Sequence, residues 1–410
     1  MTAINPFQVQ HVIHSNASKS DAQRCLILAA FSKNPTRILG LDQSEDISAM
    51  LSCIQELGAS YDEETSTVHL SSHNFSERIC LNVHESGFAL RTLAFVGMAF
   101  TKNLTINGTG SLLQRDHSQL CHILQQIGFT VESKESKLPI HISGSASFKH
   151  ITVNGEAGSQ AISGLFLLAP FLEQDSLVSI ESLKSKPYLE MTIARMRDFG
   201  IVLHSLNDNS YQIPGNQLIQ KDEVHIEGDW SGAANPIVGA AISGKLELHG
   251  LNRYSLQADR HILQVIQDFG ATITWKDDVL FVQQSKTNSA FETNISDCPD
   301  LFSILVVLAC AASGTSKIIG VNRLQNKESD RLSVMCEVLE KFEIAFQLGS
   351  SEIFIHGTGQ VAGGEIDTHN DHRIAMAATI AACIARKPIH LTDASCVSKS
   401  YPNFFKDLEC

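Results

Sequence analysis

Cationic, hydroxyl and carboxylate side chains of this chain gather directly before apolar stretches of the sequence. These positions hold Lys19 with Ser20, Gly87 with Arg91, Ser159 with Gln160, Asp300, and Asp371 with Arg373. A second group stands directly before amphipathic stretches and comprises Arg115, Ser185, Lys327, Glu328, Arg331 and Lys399. If these stretches are helices, both groups lie at helix N-termini, which carry unpaired N–H groups and about half a positive charge.

Lysine or arginine at a helix N-terminus opposes the helix dipole. Its repeated use there is understandable if anions bind, because phosphate and carboxylate gain from both the dipole and the cationic side chains. Carboxylates among these cations, notably Asp300 and Glu328, would stay ionised and could accept a proton or, once protonated, donate one. The pattern therefore predicts a site that holds more than one anionic group and moves protons.

Each residue also has a purely structural interpretation. A serine or aspartate that opens a helix, such as Ser159 or Asp371, is commonly an N-cap. A single arginine such as Arg91 is commonly solvated or paired, and Glu45 with Asp46 resembles ordinary first-turn charge. Motifs for other chemistries do not stand out: the 17 histidines are scattered along the chain, and there is neither a P-loop nor a G-x-S-x-G elbow. We therefore expect no metal.

The elements that must position these residues repeat along the chain. Short β-rich runs begin near Thr36, Asn103, Ser176, Lys245, Ser316 and Lys387, at a spacing of about 70 residues. Each run follows a stretch that is apolar nearly all round, as expected for a helix buried on every side. Five runs precede an amphipathic helix, and four of these helices end at a glycine, where a left-handed residue is expected: Gly58, Gly128, Gly200 and Gly270. Glu343 stands at the fifth position.

The repeat predicts an α/β (α+β) fold with six units of buried helix, strand, amphipathic helix, strand and strand, three units in each of two lobes. Lobe 1 is predicted over residues 15–227, and lobe 2 over residues 1–14 plus 228–410. The sixth unit lacks closing strands because the sequence ends at residue 410. We expect the N-terminal segment PFQVQHVI, residues 6–13, to supply a strand to that unit.

Composition narrows the class of protein. The chain has 31 Lys and Arg against 44 Asp and Glu, a net charge of −13, which argues against a general nucleic-acid binder. The longest apolar run, residues 304–312, is too short to span a bilayer, and the N-terminus lacks the apolar core of a signal peptide. The 10 scattered cysteines contain no C-x-x-C pair and indicate reduced thiols. We expect a cytoplasmic protein that binds neither nucleic acid nor membrane.

Taken in order, the polar motifs resemble those of the EPSP synthase family over essentially the whole chain. They are Lys19-Ser20 with Arg24, Ser86-Gly87 with Arg91, Gln114-Arg115, Ser159-Gln160, Ser185-Lys186-Pro187-Tyr188, Pro299-Asp300, Lys327-Glu328-Ser329-Asp330-Arg331, Asn370-Asp371-His372-Arg373 and Lys399-Ser400-Tyr401-Pro402. The resemblance implies transfer of the carboxyvinyl group of phosphoenolpyruvate to the 5-hydroxyl of shikimate 3-phosphate. It also implies a two-lobed inside-out α/β barrel of six βαβαββ-type units, three in each lobe. The reaction would release phosphate through a tetrahedral intermediate, in a monomeric enzyme without a cofactor.

The resemblance assigns roles residue by residue. Shikimate 3-phosphate would be bound by Lys19, Ser20, Arg24, Ser159, Gln160, Ser185, Asp300 and Lys327. Phosphoenolpyruvate would be bound by Lys19, Gly87, Arg115, Gln160, Arg331, Arg373 and Lys399. Asp300, assisted by Lys19, would take the proton of the 5-hydroxyl, and Glu328 would protonate the methylene carbon.

Several positions depart from the family's usual pattern. Glu85-Ser86-Gly87-Phe88 replaces Asn-Ala-Gly-Thr, and the carboxylate of Glu85 would repel a phosphate unless it is neutral or turned away. The nearest rival function is that of the sister enzyme UDP-N-acetylglucosamine carboxyvinyltransferase, whose loop cysteine has no counterpart between Cys80 and Cys121.

Two rival interpretations assign no catalytic activity to the chain. The first is a non-catalytic anion-binding relative, and the second is a structural repeat protein. The joint presence of the whole charged set argues against a non-catalytic relative: Lys19, Asp300, Glu328, Arg331, Arg373 and Lys399. The second does not explain why the ionisable residues gather at helix starts.

Overall fold

The computed structural model describes residues 1–70, 76–325 and 327–410. The chain divides into two compact units. The central unit is Lys19–Ile226, and the terminal unit combines Met1–Ser18 with Glu227–Cys410. The lobe boundaries stated above, 15–227 against 1–14 plus 228–410, stay a prediction.

The chain begins with two strands of the terminal unit, β1 (Thr2–Ile4) and β2 (Val9–His14). The α-helices of the central unit are α1 (Lys19–Ala30), α2 (Glu45–Glu56), α3 (Gly87–Val96), α4 (Ser118–Gln126), α5 (Gln160–Leu168) and α6 (Lys186–Asp198). Its strands are β3 (Thr36–Leu39), β4 (Ala59–Asp62), β5 (Thr67–Leu70), β6 (Ile79–Asn82), β7 (Asn103–Asn107), β8 (Thr130–Glu132), β9 (Ile140–Ser143), β10 (His150–Asn154), β11 (Ser176–Glu181), β12 (His204–Asn207), β13 (Ser210–Ile213) and β14 (Glu223–His225).

The strands of the central unit form three four-stranded sheets with the orders β14-β3-β5-β4, β6-β7-β9-β8 and β10-β11-β13-β12. In the second sheet, β6 and β7 are parallel, and β7, β9 and β8 follow as antiparallel neighbours. The helix α3 connects the parallel strands, and α4 leads from β7 to the hairpin. This is the predicted βαβαββ unit, with a crossover helix where parallel strands require one.

The remaining α-helices of the terminal unit are α7 (Trp230–Ile242), α8 (Ile262–Phe269), α9 (Phe302–Ala311), α10 (Arg331–Lys341), α11 (His372–Ala381) and α12 (Phe404–Leu408). Its remaining strands are β15 (Gly244–His249), β16 (Thr272–Lys276), β17 (Val279–Gln283), β18 (Glu292–Asn294), β19 (Ser313–Ile319), β20 (Phe346–Leu348), β21 (Glu352–Thr358), β22 (Gly364–Ile366) and β23 (Ile389–Leu391). The sheet orders are β16-β17-β15-β2, β18-β19-β21-β20 and β1-β23-β22. Six small sheets, three in each unit, confirm the predicted fold class.

The expected role of the N-terminal segment PFQVQHVI is wrong. Its strand β2 pairs in parallel with β15, in the fourth repeat, and the preceding β1 pairs with β23 in the sixth. The reason lies in the repeat itself, because each sheet needs a parallel strand beside its first crossover strand. β14 precedes α7 but pairs with β3, so β15 takes its parallel neighbour from β2 instead.

The apolar stretches are buried helices, as predicted. Every residue of α9 and α11 is buried, and so is every residue of α7 except Ser231. In the central unit, α5 is buried from Ala161 to its end. The predicted glycines that follow amphipathic helices have φ between +82° and +108°, a conformation that costs glycine no Cβ clash. Glu343 adopts the same left-handed conformation, with φ +59°.

Candidate active site

In the central unit, the start of α1 is tied to the first turn of α2. The ammonium of Lys19 lies 2.9 Å from Oδ2 of Asp46, and both side chains are less than one-fifth exposed. The buried amide of Gln23 donates to the hydroxyl of Ser86 at 2.8 Å and to the backbone carbonyl of Asp46 at 3.3 Å. Asp46 therefore positions Lys19, a contact that the sequence interpretation of ordinary first-turn charge missed.

Arg24 is 1% exposed and is held by neutral groups. Its Nε donates to the hydroxyl of Thr192 at 2.8 Å, and its two terminal nitrogens donate to the carbonyls of Ser20 and Tyr188. The ring of Phe88 lies 4.5 Å from the guanidinium carbon. Burial lowers the pKa of Arg24 to about 10, and no carboxylate oxygen of the described residues lies within 4.0 Å of it. The charge of Asp21 offsets part of this effect of burial.

Three further residues meet at the start of α3. Nη1 of Arg91 donates to the carbonyl of Gly87 at 3.1 Å and to Oε1 of Gln160 at 3.0 Å. A Cβ atom on Gly87 would lie 2.7 Å from Nη1 of Arg91 and 3.3 Å from Nη1 of Arg115. Gly87 therefore lets two guanidinium groups approach the N-terminus of one helix. Arg115 is buried, and its one hydrogen bond among the described residues goes to the hydroxyl of Ser111 at 2.9 Å.

The electrostatics of this region are positive. Burial lowers the pKa of His117 to about 4, and the charges of Arg91 and Arg115 add to that effect. The carboxylate of Glu85 is packed against Gly110, where an added Cβ would overlap it. Glu85 thus faces the first residue of the 3-10 turn Gly110–Leu113.

Ser159 and Ser185 occupy the N-cap positions of α5 and α6, but neither side chain caps its helix. Both residues are buried. Ser185 has the left-handed φ of +55°, which costs about 1–2 kcal/mol for a residue with a Cβ. Backbone strain of this type concentrates at functional sites. The side chain of Ser159 does not cap its helix, so the purely structural interpretation of Ser159 as a plain N-cap does not hold.

In the terminal unit, the guanidinium of Arg331 collects three carboxylates. It donates to Asp300 Oδ1 at 2.7 Å and to Asp371 Oδ2 at 2.8 Å, and it forms a very short contact with Glu328. Asp371 is fully buried, accepts from the hydroxyl of Ser329 at 3.0 Å and caps α11 through the backbone N–H of Arg373. Arg331 and Asp371 are thus the buried centre of the cluster, and Asp300 and Glu328 are its partly exposed edge.

Asp300 faces several cations at once. Its carboxylate lies 3.5 Å from Nζ of Lys327 and 3.6 Å from Arg373. Burial by itself would raise the pKa of Asp300, but Lys327, Arg373 and Arg331 hold it well below its usual range. Burial also lowers the pKa of Lys327. The ammonium of Lys399 donates to the carbonyl of Asn370 at 2.7 Å, next to the loop that carries Asp371.

A further carboxylate, Asp259, belongs to this region and was not singled out from the sequence. It is 1% exposed and accepts a very short hydrogen bond from Ser231. Burial, together with the nearby charge of Asp300, raises the pKa of Asp259 to about 6. Its signal in the sequence is weak, because a single Asp in Gln257-Ala258-Asp259 resembles any turn residue.

Two other expectations concern metals and membranes. Over residues 1–70, 76–325 and 327–410, no group of three or more His, Cys, Asp or Glu side chains is placed to hold a metal ion. Over the same residues, the structure has no helix that is both long enough and apolar enough to cross a bilayer.

The chain matches the family model described as EPSP synthase (3-phosphoshikimate 1-carboxyvinyltransferase) over residues 5–408. Two curated relatives named 3-phosphoshikimate 1-carboxyvinyltransferase come from Clostridium kluyveri, with 32% identity, and Clostridium acetobutylicum, with 33% identity. Each alignment covers 99% of this chain and 96% of the relative.

Solved structures agree in fold. EPSP synthase from Acinetobacter baumannii matches with a TM-score of 0.82 at 23% identity, covering 99% of this chain and 97% of that one. The enolpyruvyl transferase NikO from Streptomyces tendae matches with a TM-score of 0.79 at 14% identity, covering 99% and 96%. From the match that spans nearly the whole chain, and from relatives above 30% identity, we conclude that the chain belongs to the EPSP synthase family.

Proposed function

We propose that this chain transfers the carboxyvinyl group of phosphoenolpyruvate to the 5-hydroxyl of shikimate 3-phosphate and releases phosphate. The observation that carries the proposal is the pair of buried guanidinium groups, Arg24 and Arg115, that face no carboxylate within 4.0 Å among the described residues. A buried cation that forms no close ion pair is costly, so an anionic ligand would stabilise each of them. Both substrates carry a carboxylate and a phosphate. The enzyme is proposed to act as a monomer in the cytoplasm.

The residues proposed for shikimate 3-phosphate in the central unit share hydroxyl, amide or cationic character and stand at helix starts. They are Lys19, Ser20, Arg24, Ser159, Gln160 and Ser185. Two of these hydroxyls, on Ser159 and Ser185, are not used to cap their own helices, and a serine hydroxyl can donate to a phosphate oxygen. Asp300 and Lys327 are the proposed contributors from the terminal unit.

The residues proposed for phosphoenolpyruvate are cations and N–H donors: Lys19, Gly87, Arg115, Gln160, Arg331, Arg373 and Lys399. The backbone N–H of Gly87 opens α3, where the helix dipole favours an anion. Burial is the main cause of the lowered pKa of His117, and the charges of Arg91 and Arg115, which add to it, support anion binding at this helix start.

Proton transfer is proposed for Asp300, Glu328 and Lys19. In the absence of ligand, Asp300 is a weak base because Lys327, Arg373 and Arg331 hold its pKa low. Anions that bind to these cations would offset their charge, and the pKa of Asp300 would then rise toward the range of a useful base. Substrate binding would thus prepare Asp300 to accept the proton of the 5-hydroxyl. Glu328 would protonate the methylene carbon, and Lys19, held by Asp46, would stabilise developing negative charge.

The test is phosphate release by the purified chain with both substrates and no added metal. We expect turnover that requires both phosphoenolpyruvate and shikimate 3-phosphate. Turnover with UDP-N-acetylglucosamine in place of shikimate 3-phosphate would instead assign the sister activity. Binding of both anions without any phosphate release would point to the non-catalytic relative.

A further inference from the structure

Arg91 has no role among the residues proposed to bind the two substrates. It lies one turn after Gly87 on α3, and helical side chains tilt back toward the N-terminus of their helix. Nη1 of Arg91 accordingly reaches back to the carbonyl of Gly87 at 3.1 Å and across to Oε1 of Gln160 at 3.0 Å. The second contact joins the first turns of two different buried helices.

The approach of the two helices explains why Arg91 can reach Gln160. Gly164, one turn after Gln160 on α5, lies against the backbone of α3, where an added Cβ would be 2.5 Å from the carbonyl oxygen of Arg91. Because α3 and α5 are this close one turn further along, the side chains of Arg91 and Gln160 can meet at the N-termini of the two helices. The contact is therefore built into the packing of α3 against α5.

The chemistry of the two side chains determines which way the amide of Gln160 points. A guanidinium only donates hydrogen bonds, so the amide atom facing Arg91 must be the oxygen. The two N–H groups on Nε2 are then directed away from Arg91. A free glutamine amide has two orientations of similar energy, and only the one fixed here turns its donors outward while its acceptor is occupied.

We propose that Arg91 is a positioning residue that fixes the amide of Gln160 so that it presents two N–H donors to an anionic substrate. This inference rests on the proposed function, in which Gln160 contacts phosphoenolpyruvate and shikimate 3-phosphate. Gln160 is exposed, so its donors are accessible to a ligand. Arg91 therefore acts on the ligand through Gln160, whose amide oxygen it engages.

The test is a double-mutant cycle of Arg91→Met, Gln160→Met and the double variant, with KM for phosphoenolpyruvate as the readout. We expect each single change to raise KM by about 10- to 100-fold, the scale of one hydrogen bond to a charged group. If Arg91 acts through Gln160, the KM of the double variant should be little higher than the KM of the worse single variant. Losses that multiply would overturn the proposal, because they would mean that the two residues act independently.

Two more variants sharpen the test. Gln160→Glu keeps an acceptor for Arg91 but removes both N–H donors, so it should be at least as damaging as Gln160→Met. Arg91→Lys keeps a charged donor and should restore part of the affinity. The matched control is Arg197→Met, which removes an exposed arginine of α6 in the same unit, and it should leave KM within about twofold of the parent.

A second measurement does not depend on the proposed activity. In protein labelled with ¹⁵N at the glutamine side-chain amides, the Nε2 signal of Gln160 is assigned by its loss in Gln160→Met. This signal should shift in Arg91→Met and stay in place in Arg197→Met. An unchanged signal in both would refute the positioning role, whereas a shift in a protein without turnover would refute only the proposed function.

Discussion

The buried carboxyl group of Asp259 gives a quantitative prediction about stability. Its pKa is raised to about 6 from an ordinary value of 3.8, so the folded protein binds a proton more tightly than the unfolded chain does. Between these two values the folded state holds more protons, and the free energy of unfolding therefore falls as pH rises. Integrated from pH 5 to pH 7.5, the two pKa values give a fall of about 1 kcal/mol from this single group.

Asp259→Asn removes the charge and keeps an oxygen that can accept from the hydroxyl of Ser231. The variant should therefore become more stable relative to the parent as pH rises: the difference in free energy of unfolding between them should grow by about 1 kcal/mol between pH 5 and pH 7.5. Imperfect packing of the amide would change the free energy of unfolding by the same amount at both pH values, so it does not affect this comparison. Urea unfolding of both proteins at the two pH values measures the difference.

Asp268→Asn provides the control for removing a carboxylate from an exposed position of the neighbouring helix α8. A difference between Asp259→Asn and the parent that is the same at both pH values would refute the reasoning. It would mean either that water reaches Asp259 or that Arg373 neutralises it more strongly than burial penalises it.

Three further predictions concern Glu328, the proposed proton donor, and two left-handed positions that follow helices. Glu328→Gln should lower kcat by about 100-fold or more while leaving the Kd of shikimate 3-phosphate within about threefold, because it removes a proton donor and keeps the contact with Arg331; equal losses in both quantities would make Glu328 a structural residue. Glu343→Gly should raise the free energy of unfolding by about 0.5–1 kcal/mol, because φ is +59° there and glycine adopts this conformation without a Cβ clash. Gly200→Ala, at φ +82°, should have the opposite effect, and chemical denaturation would measure both.

Much of the fold could be predicted because its signals are local and repeat. An apolar stretch without a polar face becomes a buried helix wherever it occurs, and a glycine after an amphipathic helix marks its left-handed end, as at Gly58 and Gly270. Strand pairing is different, because a strand of alternating residues such as β2 fits the edge of several sheets. Which edge it joins depends on where the chain crosses between units, and for this reason the segment PFQVQHVI was assigned to the wrong repeat.

The candidate site also combines residues with a local signal in the sequence and residues that only the folded structure reveals. Residues with a charge or hydroxyl at a helix start, such as Lys19, Ser159 and Arg331, could be found from the sequence because the position itself restricts what they can do. Asp46, Asp259 and the contact between Arg91 and Gln160 could not, because each depends on a partner more than 25 residues away.

The sequence by itself determined the repeat, the buried helices, the cationic helix starts and the family, because periodicity and helix polarity act over a few residues. Only the tertiary structure decided which charge faces which. It paired Lys19 with Asp46, gathered three carboxylates on Arg331 and left Arg24 with neutral partners. Electrostatic energy depends on distance through space and on burial, and neither quantity exists until the chain is folded.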